Sequence, residues 1–317
     1  MIKLAVWALD LSDAYLKKIT QLGADAVDGI SVANVPGTNY PDLDELLKVK
    51  QKLQSWGLAI NRVSLPSMSP RYMDGEGNSD AELDNCSQAL RVYAEAGCPV
   101  IRVSFAYDTF PEMSYRYEAV HRSGYTMRGE SIAQAAPHDG PPPQEVLDAR
   151  WNQVCKFYQR MVPIAEEYNV KLAMHPSDTP LGDTLFGGLG LHRLIDAFPS
   201  PTVGYLYCCG TRAEAGGSPL ILDEINNYGR KGRLFEIHFR NVRGSLATAG
   251  AFEEVLLDDG DMNMFKILQA LHQIGYDGYL NPDHVPTLEG DDSYSGQGLS
   301  YSVGYIKGLL AALAASK

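Results

Sequence analysis

Short apolar segments alternate with segments of helical period along almost the whole chain. The apolar segments predict eight strands, at residues 3–7, 26–30, 58–63, 99–103, 170–174, 203–207, 234–237 and 278–282. The helical segments follow them, from residue 12 and at 42–56, 80–96, 145–167, 190–197, 220–228, 262–274 and 303–315. Ser12 and Asp13 form a reasonable N-cap pair for the first helix, and Gly97 is placed to end the third.

Strands that are apolar throughout are typical of a parallel sheet covered on both faces. A doubly wound open sheet would carry a glycine-rich phosphate loop after its first strand, and residues 7–10, Trp-Ala-Leu-Asp, offer none. The pattern therefore predicts a (β/α)8 TIM barrel that occupies residues 1–317 as a single domain.

One region, residues 106–149, interrupts the alternation after the fourth predicted strand. It is rich in aromatic side chains and contains Pro141, Pro142 and Pro143. Long loops in compact domains are usually functional or disordered, and the aromatic content favours an ordered one. Because it follows a strand of the barrel, we expect this insertion to lie over the barrel mouth as a lid or pocket wall.

Composition limits the classes of function. A content of 45% hydrophobic and 21% charged residues is ordinary for a soluble globular protein, and no apolar stretch approaches the roughly 20 residues that cross a bilayer. Five cysteines without a framework spacing favour a reduced, cytoplasmic protein. The net charge of -12 argues against a nucleic-acid partner. An anionic substrate would therefore need a local cation, either a metal ion or arginine.

Four predicted strands in the second half each end at a residue that can bind a metal ion. These residues are His175, Cys208, His238 and Asp283, and His284 follows the last of them. The carboxyl ends of the strands in a parallel barrel converge on one mouth, where enzymes of this fold keep their chemistry. Two imidazoles, a thiolate and a carboxylate suit a divalent transition ion. The spacing thus predicts a metal site at the mouth.

Each of these signals also has a structural explanation. His175 could simply end a strand, and Asp283 and His284 could belong to a turn. Strict alternation places Glu236, His238 and Arg240 on one inward face, which is costly unless these residues are paired or functional.

Neighbouring residues leave further alternatives. Adjacent cysteines point to opposite faces of a strand, so at most one of Cys208 and Cys209 faces the site.

Arg62 and Arg102 point inward and could bind a substrate carboxylate or form structural ion pairs. The acidic residues at 253–254 and 258–261 are expected to be mostly solvated, with Asp261 capping the helix that follows.

The ordered motifs of the second half resemble those of the mannonate dehydratases, in the xylose-isomerase-like group of barrels. They read His175-Pro176-Ser177-Asp178, Cys208-Cys209-Gly210, His238-Phe239-Arg240, Phe252-Glu253-Glu254, Gly260-Asp261-Met262-Asn263-Met264, Pro282-Asp283-His284 and Gly304-Tyr305-Ile306-Lys307-Gly308. The first half resembles the family only in barrel architecture.

The resemblance implies a metal-dependent hydro-lyase that removes water from a sugar acid such as D-mannonate to give a 2-keto-3-deoxy acid. It implies a Mn²⁺ ion, or another divalent transition ion, bound by the four strand-end residues. His284 would be an acid/base. We also assign a catalytic role to Tyr301. The residues assigned to substrate binding are Arg102, Asp178, Arg240 and Asn241.

Several positions depart from the family pattern. The family has Asp at Ser177, Arg at Asn281 and Gly at Val285. Its tyrosine near the last helix aligns with Ser300, so Tyr301 replaces it only after a shift of one residue. These departures fall on substrate residues and spare the metal set. They keep two alternatives open, a sugar isomerase or epimerase on the same barrel and a non-catalytic sugar-acid binder. A homo-oligomer is the default assembly expected for this group.

Overall fold

Eight parallel strands form a closed barrel in the computed structural model, which describes residues 1–76, 80–108, 110–177, 189–291 and 296–315. The strands in chain order are β1 (Lys3–Trp7), β2 (Ala26–Asp28), β3 (Ala59–Ser64), β4 (Val100–Val103), β5 (Tyr115–Val120), β6 (Thr126–Ser131), β7 (Lys171–Met174), β8 (Val203–Cys208), β9 (Leu234–His238), β10 (Asn241–Ser245), β11 (Ala251–Val255) and β12 (Tyr279–Asn281). The barrel order is β1-β12-β9-β8-β7-β4-β3-β2. The pairing of β1 with β12 closes it, with Leu4 opposite Leu280. The predicted TIM barrel is confirmed.

Helices surround this barrel. They are α1 (Asp13–Leu22), α2 (Leu43–Ser55), α3 (Pro70–Met73), α4 (Asp80–Glu95), α5 (Gln144–Tyr168), α6 (Leu189–Ala197), α7 (Cys209–Gly216), α8 (Ser218–Arg230), α9 (Leu246–Ala249), α10 (Met264–Gln273) and α11 (Gly296–Ala315). The eight predicted helices are present, the last beginning at residue 296 rather than 303, and α3, α7 and α9 are additional short helices that the pattern does not predict.

The helix ends follow the capping signals in the sequence, with one exception. The Ser12 side chain accepts a hydrogen bond from the Tyr15 amide at the start of α1, and Gly97 takes the left-handed conformation after α4, with φ of 74°. Asn263, not Asp261, caps α10. The Asp261 carboxylate instead accepts from the amide of Gly244, at 2.8 Å. The cap predicted at Asp261 is therefore wrong.

The insertion forms a second sheet. β5 and β6 make an antiparallel hairpin whose turn contains Ser123 and Gly124, both with positive φ. β6 pairs with β11, and β11 with β10, so that the sheet has the order β10-β11-β6-β5. The hairpin of β10 and β11 leaves the barrel directly after β9, which fixes the sheet at the carboxyl end of the strands. The described part of the insertion thus contains a hairpin where a loop is predicted, and residues 144–149 belong to α5.

Charged side chains fill part of the barrel interior. Glu236, His238 and Arg240 are all buried, as the alternation along β9 predicts. Arg62 donates from Nε to Glu236 at 2.7 Å, and both side chains are fully buried. The Arg62 guanidinium also lies over the Trp7 ring, 4.7 Å from its centroid. Arg62 is therefore a structural partner of Glu236.

Among the described helices, α11 alone has the length and composition of a membrane-spanning helix, with a mean hydropathy of 1.2. The expectation that no apolar stretch approaches bilayer length is therefore wrong for this segment. α11 contacts α1 and α10, and its residues Leu299, Val303 and Ile306 belong to the hydrophobic core. A helix that packs on a barrel meets the same apolar criterion, and these contacts favour that explanation.

We expect Arg62→Met to lower the free energy of unfolding by about 3–5 kcal/mol, because it leaves the Glu236 carboxylate buried without its cation. Urea denaturation measures this change. Arg91→Met is the matched control, since Arg91 forms an exposed pair with Glu167 and should change stability by no more than about 1 kcal/mol. Equal stability of the two variants would contradict a structural role for the buried pair.

Candidate metal and substrate site

His175, Cys208 and His238 meet at the carboxyl ends of β7, β8 and β9. Each offers one ligand atom, and these three atoms all lie within 4.8 Å of one another. The strand register brings Cys208 opposite His238, and the two imidazole centroids are 5.4 Å apart. Cys209 is buried as the first residue of α7 and is not part of the cluster.

This cluster fits a divalent transition ion. Within the described part of the chain, neither ring nitrogen of His238 has a well-directed hydrogen bond, although the ring is buried. Buried polar atoms rarely lack a hydrogen-bond partner, and a metal ion bound by this ring would account for an unpartnered nitrogen. One sulfur and two imidazole donors suit an ion such as Zn²⁺ or Fe²⁺, and a carboxylate beside them would supply the oxygen ligand that Mn²⁺ prefers.

Asp283 lies beside the cluster, next to the Nδ1 atom of the His238 ring. Its Oδ2 is 3.1 Å from His238 Nδ1 and 3.2 Å from Arg240 Nε, and its Oδ1 accepts from Trp7 Nε1 at 3.3 Å. The backbone of Asp283 is left-handed, with φ of 58°, and its amide donates to the Asn281 side chain. A strained residue at this place is typical of a functional site. Its role as fourth ligand stays a prediction.

Burial controls the protonation of the cluster. It lowers the pKa of His175 well below the usual value, so this ring is neutral, which is the form that binds metals. It raises the pKa of the Cys208 thiol to about 11, despite the opposing charge of Arg240. Burial would also raise the pKa of Asp283, but His238, His284 and Arg240 lower it by more, and the carboxyl is ionised. A metal bound at Cys208 would therefore displace a proton.

A polar cavity of about 290 Å³ adjoins the cluster. Arg102 and Asp108 line it together with His175, His238 and Arg240. The buried Nε of Arg102 has no hydrogen-bond partner among the described residues. Burial and the nearby Arg62 lower the pKa of Arg102, while burial raises that of Asp108. Arg102 is thus a cation that lines a cavity beside the metal cluster.

A larger cavity, of about 560 Å³, opens next to the first. The two share Trp7, Arg128, Asp283 and His284 in their walls. The hairpin of the second sheet contributes Arg116 and residues 126–128 to the larger one. The insertion therefore forms one wall of the space in front of His284. Its function as a lid stays a prediction.

His284 stands between the second sheet and the metal cluster. Its Nδ1 lies 2.7 Å from Glu254 Oε1, and its Nε2 lies 3.6 Å from Asp283 Oδ2. The side chain is 46% exposed, so solvent and substrate can reach it. Burial lowers the pKa of His284, but the hydrogen bond with Glu254 and the charge of Asp283 raise it by more, to above its usual value.

The other predicted substrate residues differ in their availability. Arg240 pairs with Glu214, with Glu254 at 3.2 Å and with the Thr211 hydroxyl at 2.9 Å, so protein groups occupy much of its guanidinium. Asn241 donates to the carbonyls of Leu257 and Met262, and its oxygen accepts two amides. These four hydrogen bonds occupy both the NH₂ group and the oxygen of the Asn241 side chain and hold residues 256–262 in place. The substrate role predicted for Asn241 therefore does not fit this geometry. Asp178 lies outside the described residues.

Tyr301 lies on α11, away from the metal cluster. It hydrogen-bonds Asp258, which also receives two hydrogen bonds from Arg122, at 2.6 and 3.0 Å. The walls of the two cavities described above do not include it. The catalytic role assigned to Tyr301 therefore has no geometric support, and in this structure the side chain ties α11 to the turn of the hairpin.

The solvated position predicted for Glu254 is wrong. This residue was expected on a solvated acidic surface but is 4% exposed and contacts Arg128, Arg240 and His284. Burial would raise its pKa, but the charges of Arg240, His284 and Arg128 lower it to about 2. Its place in the Phe252-Glu253-Glu254 motif was the available signal. Trp7, Asp108 and Arg128 had no comparable signal in the sequence.

Comparison with known proteins gives this geometry a family. The family model of D-mannonate dehydratase (UxuA) matches residues 145–317, more than half of the chain. The chain belongs to the mannonate dehydratase family. Mannonate dehydratase of Thermotoga petrophila is 25% identical over 345 aligned positions, covering 94% of this chain and 93% of the relative. The likeness therefore extends well into the first half, beyond barrel architecture.

Solved structures agree in fold. Mannonate dehydratase from Streptococcus suis serotype 2 superposes with a TM-score of 0.81 at 22% identity, covering 98% of this chain and 94% of that one. A xylose isomerase domain protein from Alicyclobacillus acidocaldarius gives 0.62 at 16% identity, covering 98% and 99%. Membership of the mannonate dehydratase family makes the protein a hydro-lyase. It decides against the isomerase or epimerase and the non-catalytic binder.

We expect Cys208→Ala to weaken the binding of a divalent transition ion by more than about 10-fold, because one donor of the cluster is lost. Cys209→Ala is the matched control and should bind as the parent does, since this sulfur lies outside the cluster. Metal analysis after dialysis against limiting Mn²⁺ or Zn²⁺ measures both. Equal loss in the two variants would show that the cluster is not the binding site.

Proposed function

We propose that the protein removes water from a sugar acid such as D-mannonate, giving a 2-keto-3-deoxy acid, with the help of a divalent transition ion. Mn²⁺ is the ion that the family resemblance suggests. The single observation that carries the proposal is the convergence of His175, Cys208 and His238 beside a cavity that Arg102 lines.

The residues at the barrel mouth would have different roles in such a reaction. His175, Cys208 and His238 would hold the ion, with Asp283 as a fourth ligand or as the carboxylate that orients His238. A bound divalent ion would polarise the carboxylate and hydroxyl oxygens of the substrate. Arg102 would bind the substrate carboxylate, since it lines this cavity and a guanidinium is well suited to bind a carboxylate.

The elimination needs one base and one acid. A base takes the proton from C2, the C2–H electron pair forms the double bond, and the C3–O bond breaks. An acid protonates the departing hydroxide, which leaves as water, and the resulting enol becomes the 2-keto acid. His284 is the group we propose for proton transfer, because its imidazole is exposed to both cavities next to Asp283.

The direct test is incubation of the Mn²⁺-loaded protein with a panel of hexonates, followed by detection of 2-keto-3-deoxy acids. We expect at least one hexonate to be converted and activity to disappear on chelation. Conversion without any dependence on added metal would contradict the metal's part, and the absence of product from every hexonate would remove the sugar-acid proposal.

We expect His284→Asn to lower kcat by about 10²–10⁴-fold while the ion stays bound, because it removes the proton-transferring group and spares the ligands. Steady-state kinetics and metal analysis on the same preparation measure the two effects. His192→Asn is a control, since His192 lies on α6, where it hydrogen-bonds Tyr228. A His284 variant that loses its metal as well would show that the two roles are not separate.

Three further predictions accompany this function. The small-molecule partner is expected to be a sugar acid, the location cytoplasmic, and the assembly a homo-oligomer. Analytical ultracentrifugation would decide the last of these.

Tyr301→Phe tests the catalytic role assigned to Tyr301. Because this side chain lies on α11, we expect the kcat of the variant to be nearly unchanged.

A further inference from the structure

Glu254 connects the second sheet to the proposed acid/base. A single carboxylate oxygen, Oε1, lies 2.7 Å from His284 Nδ1, 2.9 Å from Arg128 Nη2 and 3.2 Å from Arg240 Nη1. These partners come from three separate parts of the chain, namely the loop after β12, strand β6 and the link between β9 and β10. One buried atom therefore joins the hairpin, the barrel and the imidazole.

The neighbouring residue has no such position. Side chains alternate along β11, so Glu253 points to the opposite face of the sheet. There it accepts from the Tyr117 hydroxyl at 3.2 Å and lies 3.8 Å from His121, with its side chain 33% exposed. Glu253 and Glu254 thus share a strand and a charge but differ in contact with His284.

The contact with Glu254 decides which nitrogen of His284 carries the proton. A carboxylate between two guanidinium groups is only an acceptor, so His284 Nδ1 must be the donor. In the neutral ring Nε2 then holds the lone pair, and Nε2 is the nitrogen next to Asp283, 3.6 Å from its Oδ2. Hydrogen-bonded carboxylates fix the tautomer of functional histidines in this way.

We propose that Glu254 is a positioning residue that holds His284 with Nδ1–H toward the second sheet and Nε2 toward the reacting atoms. The inference rests on the proposed acid/base role of His284. Arg128 shares the same oxygen, so seating of the hairpin and orientation of the imidazole depend on one group. The hairpin would then act on turnover through His284 as well as by closing the cavity.

Two substitutions separate the negative charge of Glu254 from its capacity to accept a hydrogen bond from His284. Glu254→Gln keeps an acceptor oxygen where Oε1 stands, and we expect the Nδ1–H tautomer to persist, with kcat lowered by about 10-fold. Glu254→Met removes the acceptor, and we expect mixed tautomers and kcat lowered by about 10²–10⁴-fold. KM and metal content should stay within about twofold of the parent in both, because the ligands and Arg102 are untouched.

The tautomer is measured by ¹⁵N NMR of histidine-labelled, Zn²⁺-loaded protein at a pH where the imidazole is neutral. The chain has seven histidines, and the His284→Asn spectrum assigns the signal of interest. Glu253→Gln and Glu253→Met are the matched controls, and we expect both to keep the parent tautomer and kcat.

The outcomes are distinguishable. An Nε2–H tautomer in the parent protein, or unchanged kcat in Glu254→Gln, overturns the inference, and the second readout holds even if Glu254→Met fails to fold. Equal losses in the Glu253 and Glu254 variants also overturn it, because they would show a merely structural effect of the strand. If no hexonate is converted by the parent, the proposed function fails, while the parent and Glu254→Met tautomers still decide how the imidazole is held.

Discussion

Glu236, Asp283 and Glu254 can be buried in and above this barrel because each of them meets a guanidinium group at close range. Glu236 is paired with Arg62 in the interior, and above it Asp283 and Glu254 both contact Arg240. An isolated ion in such surroundings would be neutralised or would destabilise the fold. The pairing therefore fixes side chains that a catalytic site must hold in place, and it couples the barrel to the sheet that covers it.

The buried arginines differ in whether they have a carboxylate partner. Arg62 and Arg240 have carboxylate partners, whereas Arg102 faces a cavity with its Nε unpartnered among the described residues. A chain with a net charge of -12 repels an anionic substrate at long range. Arg102 and a bound ion would supply the local attraction.

The substitution at Asn281 acquires a structural explanation. The Asn281 amide donates to Asp28 at 2.6 Å, Asn61 donates to the same carboxylate at 2.8 Å, and the Asn281 oxygen accepts from the Asp283 amide. Asn281 thereby braces the left-handed backbone of Asp283 from inside the barrel. The arginines that line the smaller cavity are Arg102, Arg128 and Arg240, from β4, from the second sheet and from the link between β9 and β10.

The sequence by itself determined the barrel, since apolar strands with helical spacers have few other ways to bury both faces. It also determined which strand ends carry His175, Cys208 and His238, because a parallel barrel brings those ends together whatever the loops do. Only the tertiary structure decided that residues 115–131 and 241–255 form one sheet, and that Glu254 is buried against His284. The physical reason is sequence separation: strand periodicity is a local property. The partners of Glu254, His284 at 30 residues and Arg128 at 126, depend on how the whole chain folds.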